Sequence, residues 1–459
     1  MTVAATGPED LRNRVDDDMA RVREELERLV RIPSVSFGVF DPADVHASAE
    51  ATAGILERAG CKSVRLMQVD GAHPAVFAEC TAPDGAPSVL LYAHHDVQPP
   101  GPAESWDSPP FEPAERDGRL YGRGTADDKC GIVVHASAIR AFDGRPPVGV
   151  KVFVEGEEEA GSPNLERFLE RYADELRSDV IVLADNPNWR LGVPALTTSL
   201  RGLVDCTVEL RVLDHAVHSG EFGGPVVDAL ASLSRLLASL HDDDGNVAVD
   251  GLASDPVPTL EMPEDEYRVN AGVRPGIRLA GEGPLTARLW TRPAISVLGI
   301  DAPAVAEASN QIVPAARAMI SLRLAPRDDP RRAMRALSTH LRSHVPWGAE
   351  VRVTEGFQRM GPGAVIDATG PAYAAARRAL ADAWGTEPVD IGGGGSIPFV
   401  VAFAEAFPEA SLLLTGAADP DSGLHSENES VDLGELERAC LAQALLLHRL
   451  STTWRTSMS

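Results

Sequence analysis

At 459 residues the chain exceeds one ordinary domain, and with 44% hydrophobic residues it can bury a sizeable core. A formal net charge of −26 excludes nucleic acid and anionic membranes as natural partners, and no apolar run reaches membrane-spanning length. Cys61, Cys80, Cys130, Cys206 and Cys440 are odd in number, widely spaced and form no C-x-x-C pair, and Met1 to Asp18 has no signal-peptide core; both point to a cytoplasmic protein with reduced thiols.

In chain order, Asp17 to Arg31 has apolar residues at helical spacing and stops at Ile32-Pro33. Ala47 to Ala59 is a second helix, closed by Gly60. Strands are expected at 64–69, 75–78 and 89–92, the last an unalternated apolar run of the kind buried on both faces. A helix over 132–139, a strand over 149–154 and a strand over 180–184 follow, an α/β pattern. From about Leu200 the order becomes strand (203–212), helix (226–240), a long Asp/Gly/Pro-rich connection (242–283), strand (295–298), strand (316–324), helix (331–343) and strand (350–353). That order suits a small ferredoxin-like α+β domain inserted in a larger one. A helix over 371–385, a strand over 411–414 and a helix over 433–450 complete the chain. The expected organisation is a two-domain α/β protein. A catalytic domain with a mixed sheet flanked by helices occupies 1–199 and 365–459, and the inserted lid or dimerisation domain occupies 200–364.

The chemistry gathers where buried strands end. His94 closes the 89–92 strand, Glu158 and Glu159 follow the 149–154 strand, Asp185 ends the 180–184 strand, and His425 follows the 411–414 strand. In open α/β sheets that edge is where ligands bind. Asp127 follows a Gly-rich turn and precedes a helix. Imidazole and carboxylate suit zinc, manganese and cobalt, and crowded carboxylates at a buried strand end are costly without a cation. His94 and Asp185 on one ion, Glu159 and His425 on a second, and Asp127 bridging would make a two-metal site. Asp96, two residues past His94, can accept the imidazole's other N–H. Because Glu158 and Glu159 are adjacent, one can ligate while the other stays free as a general base.

Several ordered motifs carry a resemblance. They are Tyr92-Ala93-His94-His95-Asp96-Val97-Gln98-Pro99, Trp106-Asp107-Ser108-Pro109-Pro110-Phe111 and Leu120-Tyr121-Gly122-Arg123-Gly124-Thr125-Ala126-Asp127-Asp128-Lys129. Glu155-Gly156-Glu157-Glu158-Glu159-Ala160-Gly161-Ser162, His218-Ser219-Gly220 with Gly223-Gly224, and Ser321-Leu322-Arg323 follow, then Gly395-Ser396-Ile397-Pro398 and His425-Ser426-Glu427-Asn428-Glu429. Together they resemble the M20 family of zinc metallopeptidases, in particular its dipeptidase branch related to carnosinase and the cytosolic nonspecific dipeptidase.

The resemblance implies two Zn2+ per subunit, with Mn2+ or Co2+ as alternatives, on the ligands given above. It also implies Glu158 as general base, Asp96 as the residue orienting His94, and a cis peptide bond between Asp127 and Asp128. It gives His218 the stabilisation of the tetrahedral oxyanion in a partner subunit's site, and hence a homodimer built through the inserted domain. Arg323 and Ser396, and less directly Asn310, match positions that hold a substrate's terminal carboxylate, a group a guanidinium fits well. The implied activity is hydrolysis of the amide bond of dipeptides or similar short substrates with a free carboxylate. An N-acyl amino acid deacylase or carboxypeptidase of the same family, and a non-catalytic metal-binding relative, remain as alternatives. Cys130, Gly370 and Gly392-Gly393 depart from the family pattern and bear on substrate choice.

Overall fold

The computed structural model describes residues 7–395 and 397–457. The chain forms two compact units: one of Met1–Thr198, Ile366–Ile391 and Pro398–Ser459, the other of Ser199–Val365 with Gly392–Ile397. The strands of their main sheets, in chain order, are β1 (Arg65–Met67), β2 (Ala75–Cys80), β3 (Ser88–His94), β4 (Gly149–Glu155), β5 (Val180–Leu183), β6 (Gly202–Arg211), β7 (Ala294–Asp301), β8 (Ala315–Leu324), β9 (Glu350–Gly361) and β10 (Ser411–Leu414). The helices that concern us are α1 (Pro8–Val30), α2 (Pro42–Arg58), α3 (Lys129–Arg140), α4 (Ala229–Ala238), α5 (Pro330–Ser343), α6 (Gly370–Trp384) and α7 (Leu433–Ser457).

The first unit is built on a six-stranded sheet of order β1-β2-β4-β3-β5-β10. β3 lies parallel to β4 on one side and to β5 on the other, while β1 and β2 run antiparallel at one edge. This position explains the apolar run of β3: Val89 through Ala93 are each fully buried, so no face of the strand could be polar. The carboxyl ends of β3, β4 and β5 fall on one edge, where His94, Glu155 and Leu183 hand the chain to loops.

α1 starts at Pro8, earlier than the expected Asp17, because Leu11 and Val15 continue its buried face and Pro8 suits the first helical turn. The acidic stretch that hid this start is partly a pairing surface, with Asp18 accepting from Arg140 Nε at 2.8 Å. At the other end of α1 the Lys129 ammonium donates to the Leu29 and Ile32 carbonyl oxygens at 2.9 and 2.8 Å. Each of these carbonyl oxygens also accepts a backbone N–H, from Ile32 and Ser34, and the added lysine bonds tie the end of α1 to the first residue of α3. α7 begins on Asp432, whose carboxylate accepts from Gly434 and Glu435 N–H, each at 2.9 Å.

The second unit is a four-stranded antiparallel sheet of order β7-β8-β6-β9, with α4 and α5 packed on it. Its chain order β6-α4-β7-β8-α5-β9 is the ferredoxin-like arrangement expected from the sequence. Val204, Val208, Leu210, Ile320, Leu322 and Leu324 from the strands share a buried cluster with Leu233, Leu236, Leu337 and Leu341 from the helices. Asp228 and Asp329 cap the two helices. The connection read as irregular contains a short helix, Glu264–Asn270, with no buried residue, so it left no hydrophobic period to read.

Candidate metal centre

His94 stands at the end of β3 with no exposed surface. Its Nε2 lies 3.0 Å from Asp127 Oδ1, 3.9 Å from Asp185 Oδ2 and 4.0 Å from Glu158 Oε2. On the other side of the same aspartate, His425 Nε2 lies 3.0 Å from Asp127 Oδ2 and 3.3 Å from Glu159 Oε2. Asp127 therefore stands between two imidazoles, one oxygen toward each, in the first unit. Donor atoms of His94, Asp127 and Glu159, and of His94, Asp128 and Asp185, lie close enough together to share an ion.

Local structure sets each of these side chains. The peptide bond between Asp127 and Asp128 is cis. The turn before it uses Gly124 at φ +85°, where a Cβ would stand 2.6 Å from Val97 Cγ1. His425 holds a left-handed φ of 59°, a conformation a non-glycine residue adopts only when its surroundings impose it.

Asp96 does more than the sequence suggested. His94 Nδ1 faces the Asp96 backbone carbonyl at 3.1 Å and the Asp96 carboxylate at 3.4 Å. That carboxylate also accepts the backbone N–H of Glu158 and of Glu159, at 3.1 and 3.0 Å, and the Ser36 hydroxyl at 2.7 Å. One buried group thus orients the histidine and the loop that carries both glutamates. His95 is turned away, its Nε2 2.9 Å from the Pro74 carbonyl oxygen, and burial lowers its pKa to about 4, so it is a neutral core histidine.

Electrostatics separate the roles further. Burial and neighbouring carboxylates push Asp185 and Glu158 well above the usual carboxylate range, and burial with Asp127 raises Glu159. Burial also opposes ionisation of Asp127, but hydrogen bonds to His425 and His94 outweigh it and hold that carboxyl low. His425 is raised to about 10 by Asp127 and Glu159. A donor set of two imidazoles among mutually repelling buried carboxylates fits divalent cations, which would neutralise the repulsion. Glu158 and Asp185 stand apart from Asp127 and Glu159: each carboxyl is 16% exposed and makes no side-chain hydrogen bond among the described residues, and Glu158 is the one adjacent to the Gln98-held Glu159.

Three supporting residues carried no role in the sequence reading. Glu429 is fully buried and accepts backbone N–H bonds from Gly124, Ala126 and Asp127 at 2.9 to 3.1 Å, while Arg123 Nη1 donates to it at 2.7 Å. Pairing of Ser430–Asp432 with Arg119–Tyr121 brings it there. Gln98 grips Glu159 through its backbone N–H at 3.0 Å and its side-chain amide at 2.7 Å. Asp128 is fully buried and accepts from the His94 backbone N–H at 3.3 Å. Glu429 and Gln98 sit inside quoted motifs, so proximity to His425 and His94 was the available signal.

The other candidates belong to the second unit. His218 is exposed, pairs with Gln311 across a short ladder, and accepts the Gly220 N–H on Nδ1 at 3.1 Å. Ser219 N–H donates to the Asn310 carbonyl oxygen at 3.0 Å, so the loops carrying His218 and Asn310 are joined. Arg323 lies on β8 between Ala294 and Leu203, half-buried. Ser396 lies outside the described residues.

A family model described as peptidase family M20/M25/M40 matches residues 90–449. The chain belongs to peptidase family M20. This M20 peptidase is 34% identical over 439 residues to the cysteinylglycine-S-conjugate dipeptidase of Corynebacterium striatum, covering 93% of this chain and 95% of that one. It is 32% identical to the human beta-Ala-His dipeptidase over 78% of this chain and 74% of that one. Among solved structures, human carnosine dipeptidase matches with a TM-score of 0.79 and 27% identity, covering 96% of this chain and 98% of the other. A Saccharomyces cerevisiae dipeptidase shares the fold at a TM-score of 0.80 and 23% identity over 98% and 99% of the two chains. As a member of this family the chain is a hydrolase of the metallopeptidase type with residues able to hold metal ions. No described helix is long and apolar enough to cross a membrane.

Proposed function

We propose that this M20 peptidase is a cytoplasmic dipeptidase, hydrolysing the amide bond of dipeptides or similarly short substrates that carry a free carboxylate. The observation that carries the reading is the Glu158-Glu159 pair beside a carboxylate shared by two imidazoles: Gln98 and His425 hold Glu159, while the Glu158 carboxyl, 4.0 Å from His94 Nε2, makes no side-chain hydrogen bond among the described residues. The names of the dipeptidase relatives support the substrate class.

In this reading His94 and Asp185 would hold one ion, His425 and Glu159 the other, with Asp127 available to both; Zn2+ is the proposed metal and Mn2+ or Co2+ would suit the same donors. When bound, the ions supply Lewis-acid polarisation of the scissile carbonyl and lower the pKa of a water. Glu158 accepts a proton from the attacking water as its oxygen bonds to the carbonyl carbon. It then gives that proton to the amide nitrogen as the C–N bond breaks, releasing the amine and the new carboxylate. Asp96 and Gln98 hold His94 and Glu159 in place through the exchange. His218 of the partner subunit would donate to the oxyanion, and Arg323, with Ser396 and Asn310, would receive the substrate's terminal carboxylate.

The homodimer this requires is supported by the outer strand of the second unit. β7 ends its sheet and exposes Val297, Leu298 and Ile300, between 42% and 53%, an apolar edge that a second copy would cover. The test of the substrate class is a panel of dipeptides beside matched N-acetyl amino acids, assayed with zinc- or manganese-loaded and chelator-treated protein. Chelator-sensitive cleavage of the free-amine dipeptides is expected, and cleavage of the acylated compounds alone would move the protein to the deacylases.

A further inference from the structure

The second unit holds a cavity of about 620 Å³ whose walls include Arg201, Arg288, Arg292, Tyr267, His241 and Ser254. That volume lies within the range of roughly 300–1,000 Å³ typical of small-molecule sites. The three guanidiniums have carbonyl partners. Arg201 donates from Nε to Gly394 at 3.1 Å and from Nη1 to Arg288 at 3.4 Å. Arg288 donates to Ala280 and Gly281 at 2.9 and 3.2 Å, and Arg292 to Glu282. Among the described residues none of the three pairs with a carboxylate, in a chain with 68 acidic and 42 basic residues.

Carbonyl bonds fix a guanidinium but do not neutralise it. Arg201 is only 8% exposed, and burying a charge without a counter-charge is costly. Arg288 Nε is buried and has no acceptor among the described residues. Burial, with the neighbouring Arg323, lowers Arg201 to about 10, so the cluster works against its own charges. Bracing the 280–282 loop needs only neutral donors, which leaves the concentration of positive charge around an open volume unexplained. An anionic ligand explains it, since guanidinium forks match carboxylate and phosphate oxygens.

We propose that this cavity binds a small organic dianion, a dicarboxylate or a phosphate ester, clasped by Arg201, Arg288 and Arg292 with the Tyr267 hydroxyl as a further donor. The proposal does not rest on the catalytic reading: Arg201 neighbours Arg323, but the test reads binding and not turnover, and the Arg288 and Arg292 variants separate binding in this cavity from binding at Arg323. The experiment is isothermal titration of the full metal-loaded chain with succinate, and separately with sulfate as the phosphate mimic, at constant ionic strength set with chloride. Saturable binding of either probe is expected, weakened at least tenfold in Arg292→Gln and in Arg288→Gln. Preference for succinate or for sulfate identifies the dicarboxylate or the phosphate class. Should Arg288→Gln not fold, Tyr267→Phe takes its place. Absence of saturable binding by either probe, or equal binding by folded variants and the native protein, overturns the proposal.

Discussion

Asp127 shows how single residues divide the labour here. Its two oxygens face His94 and His425, and both imidazoles hold its carboxyl low while burial raises the carboxyls of Asp185 and Glu158 around it. The consequence for chelator-treated protein can be worked out for His425. Its pKa is about 10 in the fold against 6.5 as the ordinary value, so the imidazolium's pairing with Asp127 and Glu159 stabilises the fold in full below about 6.5. That contribution is lost as pH rises through about 10. Melting temperatures of chelated protein should therefore fall between pH 7 and 10, and less steeply in His425→Asn; an equal slope in the variant would contradict the assignment. At this scale the sequence was legible for residues that end apolar runs, namely His94, Asp185 and the Glu158-Glu159 pair. Glu429 and Gln98 were not: a buried carboxylate that collects backbone N–H groups, or an amide that donates to a neighbouring glutamate, has the same letter as a solvated one, and no period surrounds either.

Elements fix where these residues stand. β3 sits inside its sheet with parallel neighbours on both sides, and that burial produces the run that made it readable. The ferredoxin-like order of the second unit was readable for the same reason, since its strands and helices each bury one face. The start of α1 and the Glu264–Asn270 helix were not, the first because charges break its period and the second because nothing in it is buried. The Gly-rich turn before Asp127 depends on backbone shape. Gly124→Ala would place a methyl group in left-handed backbone and 2.6 Å from Val97 Cγ1. We expect a cost of about 1–3 kcal/mol in chemical denaturation, together with weaker metal retention in dialysis, because the same turn delivers Asp127. Unchanged values on both counts would show that the turn tolerates a side chain.

Across the whole molecule, the candidate residues divide between two units. The donors and Glu158 belong to the first, and His218, Asn310 and Arg323 to the second. If His218 serves a partner's site, neither His218→Ala nor Glu158→Ala protein should turn over well alone. A mixture of the two, allowed to exchange subunits, should regain activity, because some dimers then hold one site with both residues intact. A mixture no more active than its components would place His218 outside the reaction or confine it to its own subunit.

The central claim is that a metal-loaded site turns over through Glu158. The most direct test measures bound metal and dipeptide turnover on the same samples of the native protein and Glu158→Ala. The account predicts two ions per chain in both, with kcat lower in the variant by about 10²–10⁴-fold, the usual contribution of a positioned general base. Near-native turnover by the variant, or native turnover that survives complete removal of metal, would contradict it.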